Sequence, residues 1–161
     1  MAVDMFLDLD KIKGESQDKT WKDKIDILAW SWGMSQSGTM HTGGGGGSGK
    51  ANFQDISITK YLDKASTDLM KACSKGDHIA KAKLIVRKAG SKPLEYLTIE
   101  LTGVLISSIS TGGSGGEDRL TENITLNFKE FKVKYQPQKA DGSKDGGVLE
   151  HGFNIAQNVA T

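Results

Sequence analysis

Apolar and polar residues alternate with a period of two along most of the chain, and this alternation predicts β-strands. In one segment, 25–35, Leu28, Trp30, Trp32 and Met34 share one parity. We expect this parity to face the core, because exposed tryptophans would leave large apolar areas in water. Seven strands are predicted, over 3–9, 25–35, 54–61, 82–88, 94–110, 120–136 and 148–156. Together they indicate an all-β sandwich or barrel.

The alternation changes phase inside the sixth predicted strand. Leu126 and Phe128 hold one parity, whereas Phe131 and Val133 hold the other. Such a change predicts a β-bulge near Lys129-Glu130, and bulges of this kind bend strands around a barrel.

One segment, 63–75, carries its apolar residues at helical rather than alternating spacing. Asp63 or Ser66 can cap the start of this helix, and Gly76 can end it. Because the rest of the chain is predicted to be β, we expect this helix to cover a sheet edge or a barrel mouth.

The composition fits one domain, 1–161, with a single hydrophobic core. The chain has 21 Lys and Arg against 20 Asp and Glu, so its net charge is +1. This balance offers no long-range field for nucleic acid or an anionic bilayer, and no nucleic-acid partner is predicted. No segment reaches the ~18 apolar residues of a membrane span, so membrane insertion is not predicted either.

The start of the chain, Met1–Phe6, lacks the basic region of a secretory signal peptide. We therefore expect folding in a reducing cytoplasm and, if the protein is exported, a route that uses no cleaved leader. The lone Cys73 excludes an intramolecular disulfide and a multi-cysteine metal site. His41, His78 and His151 lie at no metal-ligand spacing with it, so neither a metal nor a cofactor is predicted.

Three glycine-rich loops interrupt the predicted strands, at Gly43–Gly49, Gly112–Gly116 and Gly142–Gly147. The first belongs to a long connection between strands, and consecutive glycines lose much entropy when they become ordered. Either this loop stays mobile or a neighbouring molecule orders it.

Two of these loops resemble catalytic motifs without their context. Gly44–Ala51 approaches the phosphate-binding pattern, but Ala51 replaces the required hydroxyl and a strand, not a helix, follows. Gly112–Gly116 satisfies G-x-S-x-G around Ser114, yet it too leads into a strand, and His151 is the only histidine downstream. An enzyme is therefore not predicted.

Four side chains of one predicted strand form a face without charge: Thr121, Asn123, Thr125 and Asn127. Solvent-facing strands usually mix lysine and glutamate. A neutral polar face suits a water-filled lumen or a contact with varied cargo. The alternative is the β-propensity of threonine on an ordinary exposed strand.

Several runs of residues match one known family along the whole length of the chain. They are Met1–Phe6, Gly14–Ser16, Leu28–Ser35, Lys60-Tyr61, Asp63-Lys64, Ala72–Ser74, Ser110–Asn123 and Tyr135–Gly142. On these residues the chain resembles the hemolysin-coregulated proteins (Hcp), the tube subunits of bacterial type VI secretion systems, which are similar in fold to phage tail-tube proteins.

The resemblance implies a two-sheet β-barrel with one flanking helix, and a structural role instead of catalysis. It implies homo-hexameric rings that stack into an injected tube. The implied partners are the type VI spike, the sheath and small effector proteins held in the ring lumen. It also implies secretion without a signal peptide. The competing hypothesis is a monomeric β-barrel adaptor that binds a single protein partner.

The resemblance also implies roles for individual residues. Ser31 and Ser114 match serines that face the lumen, and Thr121 and Asn123 join them through the uncharged face. A ring-stacking loop is implied for Gly43, Gly44, Gly45, Gly46, Gly47 and Ser48. Subunit contacts are implied for Glu117, Asp118 and Arg119.

Overall fold

The computed structural model describes residues 2–41, 43 and 47–161, and this part of the chain forms eleven strands and one helix. The elements are β1 Val3–Leu9, β2 Ile25–Asp26, β3 Ala29–Ser31, β4 Met34–Gly38, β5 Ser48–Phe53, β6 Ile56–Tyr61, α1 Ala65–Lys75, β7 His78–Lys88, β8 Leu94–Gly112, β9 Thr121–Tyr135, β10 Leu149–Asn154 and β11 Val159–Ala160. The prediction of an all-β fold with one helix is confirmed.

Nine strands form one antiparallel sheet in the order β11-β10-β9-β8-β7-β1-β2, with β6 paired to β9 and β3 paired to β6. The pairing order is open, but the segment 25–31 links two of its terminal strands, β2 and β3. The amide of Ile27 donates to Met5 O of β1 at 3.0 Å, and the amide of Leu28 donates to Thr59 O of β6 at 2.9 Å. The strands thus curve around a core, and the other two, β4 and β5, form a separate sheet.

The predicted single strand over 25–35 is wrong, because this segment forms three short strands with different neighbours. Ile25 and Ile27 are buried, whereas Leu28 and Met34 are 41% and 48% exposed. The chain changes its partner from β1 to β6 between Ile27 and Leu28, and the buried parity changes with it. Trp30 and Trp32 are half-buried against the core, as the sequence predicts.

The predicted bulge at Lys129-Glu130 is also wrong, although both Phe128 and Phe131 are buried there. The β8–β9 ladder has the same register on both sides of this point, and its register shift lies between Ile106 and Ser108. Gly103, at the level of Lys129, instead has a φ of +65°. Glycine adopts this conformation without steric cost, and the buried parity of β8 changes at this residue, from Leu101 before it to Val104 after it.

Helix α1 packs its buried residues, Ala65, Ser66, Leu69 and Ala72, against the core beside β8. Asp63 Oδ1 accepts the amide proton of Ala65, the first residue of the helix, at 3.0 Å, whereas Lys64 at the N-cap position itself makes no side-chain capping bond. Gly76 ends the helix in the left-handed conformation, as predicted. This helix, the one in the described part of the chain, is too short and too polar to cross a bilayer.

Strands β4 and β5 pair as an arm (the described residues of 34–53) within the region predicted to be a long loop. Aromatic rings fix its base. Trp32 lies 4.8 Å from Phe131 between ring centroids, and Phe53 lies 5.3 Å from Phe131. Trp32 Nε1 also donates to Gln54 O at 2.8 Å. Met40 of the arm is 81% exposed.

Candidate functional site

The uncharged face predicted on β9 extends across three further strands. Side chains of directly paired residues project on the same side of a sheet. One row joins β3 to β8 through Ser31, Ser57, Thr125 and Ser108, and the next through Ala29, Thr59, Asn123 and Ser110. With Thr121, these nine residues make up the uncharged face, and the opposite side of the same strands holds the core residues Ile58, Ile124 and Leu126.

The hydroxyl and amide groups of this face bond to one another. Thr59 Oγ1 donates to Asn123 Oδ1 at 2.7 Å. Thr125 Oγ1 lies 2.7 Å from Ser107 Oγ and 2.6 Å from Ser108 Oγ. These bonds hold the polar groups in place, so the face presents a fixed polar surface without net charge.

A carboxylate borders the uncharged face where β6 begins. Asp55 accepts a hydrogen bond from Ser107 Oγ at 2.6 Å and another from Asn127 Nδ2 at 2.9 Å. The carboxylate of Asp55 is therefore stabilised by neutral hydrogen-bond donors. Asn127, one of these donors, lies at the border of the uncharged face with Asp55.

The glycine loop between β8 and β9 closes one end of the face. It forms a shallow depression of about 390 Å³, lined by Ser110, Thr111, Gly112, Gly113, Ser114, Glu117, Thr121 and Asn123. Three of the four residues predicted to face a lumen, Ser114, Thr121 and Asn123, thus meet in one place. Ser31 lies outside the depression, on β3, but on the same face.

The three charged residues predicted at subunit contacts have different surroundings. Glu117 lines the depression, Asp118 is exposed, and the Arg119 guanidinium lies 3.8 Å above the centroid of the Tyr61 ring. Within the described residues no ion pair joins them. A cation over an aromatic face restrains the end of the loop that carries Arg119.

The predicted stacking loop is part of the arm. Gly43 is exposed, Gly47 O accepts the Thr39 amide proton at 3.2 Å, and Ser48 begins β5. Gly44, Gly45 and Gly46 lie outside the described residues. Lys50 and Ala51, the last two residues of the phosphate-loop-like sequence, lie in β5, so a strand and not a helix is present there.

Sequence reasoning missed a fully buried ion pair between β6 and β9. The ammonium of Lys60 contacts the carboxylate of Glu122, and both side chains are 0% exposed. Lys60 continues the buried parity of Ile56 and Ile58, and Glu122 precedes Ile124 at the same spacing. A charge in phase with buried apolar residues is the signal that could have identified this pair.

A second ionic contact that the sequence did not reveal joins Arg87 of β7 to Asp18 and Asp4. Asp18 accepts from both terminal nitrogens of Arg87, and this holds the pKa of Asp18 at about 2, below its usual 3.8. The same bond raises the pKa of Arg87. The contact fastens the 10–24 loop over the sheet, where Trp21 lies 6.4 Å from Phe6 between ring centroids.

Comparisons with known proteins match nearly the whole chain to one family. The family model described as Type VI secretion system effector, Hcp, matches residues 6–135. The chain is 65% identical to Protein hcp1 of Pseudomonas aeruginosa strain PAO1 over 160 residues. This alignment covers 99% of each chain.

Solved structures agree with the sequence match. A type six secretion system protein superposes with a TM-score of 0.93 at 31% identity, covering 99% of this chain and 100% of that one. Hcp1 from Salmonella typhimurium superposes with a TM-score of 0.82 at 35% identity, covering 100% of both chains. The chain therefore belongs to the Hcp family of type VI secretion proteins.

Proposed function

We propose that this Hcp-family chain is a structural subunit whose six copies close into a ring with the uncharged face on the inner wall. The observation that carries the proposal is the continuity of that face across β3, β6, β9 and β8. Serine, threonine and asparagine dominate it, and their polar groups bond to one another. An ordinary exposed strand has no need of such a surface.

The cargo of the ring is a small effector protein that contacts the uncharged face. Side chains without net charge neither repel nor trap the charged groups of varied cargoes. The binding free energy then comes from the exclusion of water from a confined space, and no deep pocket is needed. Ser31 and Ser114, with Thr121 and Asn123, lie on this wall, and Ser114 stands at the glycine loop where small side chains leave room.

A ring closes when each copy presents two different complementary surfaces at an angle that returns on itself. Glu117, Asp118 and Arg119 belong to one of these surfaces. The arm, with Gly43–Ser48, contacts the next ring, so that rings stack into a tube. The partners of this tube are the spike and the sheath. The whole chain, 1–161, acts as one tube domain without catalysis, and it leaves the cell as part of the injected tube.

Native mass spectrometry tests the ring directly. The expected species has six times the 17.3 kDa mass of the chain, and negative-stain images should show annular particles. A monomer that persists at every protein and salt concentration would instead support an adaptor that binds one partner.

A further inference from the structure

The ammonium of Lys60 lies among four oxygen atoms in the interior of the protein. It is 2.9 Å from Tyr61 O, 2.9 Å from Asp63 Oδ1 and 3.3 Å from Ser66 Oγ, and it contacts Glu122 Oε1. Ser66 Oγ also donates to Glu122 Oε1 at 2.6 Å. One buried group thus connects the end of β6, the first turn of α1 and the start of β9.

Stability alone does not account for this arrangement. Replacing a buried ion pair with apolar side chains of similar volume is often neutral or stabilising, whereas removing one partner is strongly destabilising. Glu122 Oε2 has no hydrogen-bond partner among the described residues, so the pair is not fully satisfied either. The best-attested use of such a pair is to fix one arrangement of the elements that it joins.

The residues next to the pair hold the loop between β8 and β9. The amide of Leu62, two residues after Lys60, donates to Leu120 O at 2.9 Å. Tyr61 lies under the Arg119 guanidinium at 3.8 Å. Both contacts depend on β6, α1 and β9 keeping their mutual position, and the loop they hold carries Ser114 and Glu117.

We propose that Lys60 and Glu122 are positioning residues, which hold the 112–120 loop in the conformation that neighbouring copies bind. The proposal rests on the proposed ring, because it takes this loop as a contact between subunits. One part of the proposal does not depend on the ring. In a single chain without the ion pair, the Leu62–Leu120 and Arg119–Tyr61 contacts open more often while the sheet stays folded.

The test is the double variant K60M/E122L, which keeps the net charge and the approximate volume. Its matched control is K134M/E100L, which removes the pair Lys134–Glu100, 3.2 Å apart and about one-third exposed, from β9 and its other neighbour β8. Hydrogen exchange is measured by mass spectrometry on peptides containing Leu62 and the 112–120 loop, in fractions of equal oligomeric state. Native mass spectrometry gives the fraction of rings.

We expect exchange at Leu62 to rise by about tenfold or more in K60M/E122L, since local opening sets exchange, while the control stays at the wild-type rate. The ring fraction should fall in K60M/E122L alone. Unchanged exchange and an unchanged ring fraction in a folded K60M/E122L would overturn the proposal.

If K60M/E122L does not fold, E122Q replaces it, because glutamine keeps the shape and can still accept from Ser66. Faster exchange at Leu62 in E122Q supports the positioning role, and wild-type exchange overturns it. If the wild-type protein never forms rings, the proposed function fails, but the exchange comparison between monomers still decides whether the pair positions the loop.

Discussion

Arg87 donates two hydrogen bonds to the carboxylate of Asp18, from Nη2 to Oδ1 at 2.6 Å and from Nη1 to Oδ2 at 3.0 Å. Nη2 also donates to Asp4 Oδ2 at 3.0 Å. Asp18 belongs to the 10–24 loop and Arg87 to β7, so the pair ties a connection without regular strands to the sheet. The guanidinium also lies 5.1 Å from the centroid of the Phe6 ring, which the loop covers.

This pair predicts acid sensitivity. The pKa of Asp18 falls from 3.8 to about 2 in the folded protein. A lowered pKa stabilises the fold above the unfolded value, and this stabilisation is lost as the pH falls from about 4 to about 2. Allowing for partial exposure, we expect D18N to cost ~1–2 kcal/mol at pH 7, and the cost to shrink toward pH 2.

Urea denaturation of D18N and wild type across this pH range measures the effect. D10N is the control, because Asp10 is exposed and its side chain makes no hydrogen bond or ion pair among the described contacts. A D18N cost that stayed constant with pH would rule out the ion pair as its source.

Ser114→Gln should block cargo and leave the ring intact. The side chain of Ser114 lines the 390 Å³ depression with Thr121 and Asn123, and a longer side chain would fill it. We expect co-purification of an effector to fall by about tenfold, which corresponds to ~1.4 kcal/mol of binding free energy. The measurement is effector retained per ring after size-exclusion chromatography.

Ser91→Gln provides the matched control, since Ser91 is exposed in the loop between β7 and β8, away from the uncharged face. Equal effector retention in both variants would show that Ser114 does not face the cargo.

Trp32→Phe should loosen the arm without unfolding the sheet. Phenylalanine keeps an aromatic ring beside Phe131 but loses the hydrogen bond from Nε1 to Gln54 O. We expect a loss of ~1 kcal/mol, the usual net contribution of one hydrogen bond, and faster proteolysis within the arm. Limited digestion followed by mass spectrometry locates the cleavage sites; cleavage outside the arm at the same accelerated rate would point to global unfolding.

Gly103→Ala should destabilise the centre of the long hairpin. The φ of Gly103 is +65°, and an added Cβ would lie 3.0 Å from Lys129 Cβ. We expect a cost of ~1–2 kcal/mol, because an L-residue is strained in the left-handed region. Gly147→Ala is the control, since nothing lies within 4 Å of its added Cβ. Thermal unfolding compares the two, and equal melting temperatures would contradict the role given to Gly103.

The buried faces of most strands could be predicted because alternation is a local property. Ile56 and Ile58 on β6, and Leu126 on β9, have the parity that the sequence assigns to the core. The uncharged face is the other parity of the same strands, so Thr121 and Asn123 could be placed on it from sequence alone. Ser114 could be placed near it only through the matching family runs.

The segment 25–35 shows where local pattern fails. Alternation gives the side of each residue relative to its neighbours, but a strand that changes partner also changes which side is inward. Nothing between Ile27 and Leu28 marks the switch from β1 to β6.

The sequence by itself determined the longer strands of the main sheet, the helix with its end at Gly76, and the family to which the chain belongs. Only the tertiary structure decided that Lys60 meets Glu122 across 62 residues and that Arg87 meets Asp18 across 69. Periodicity describes residues a few positions apart. Lys60 meets Glu122 because β6 pairs with β9, and Arg87 meets Asp18 because the 10–24 loop packs on the sheet. Both arrangements follow from the packing of one common core, which no short stretch of sequence contains.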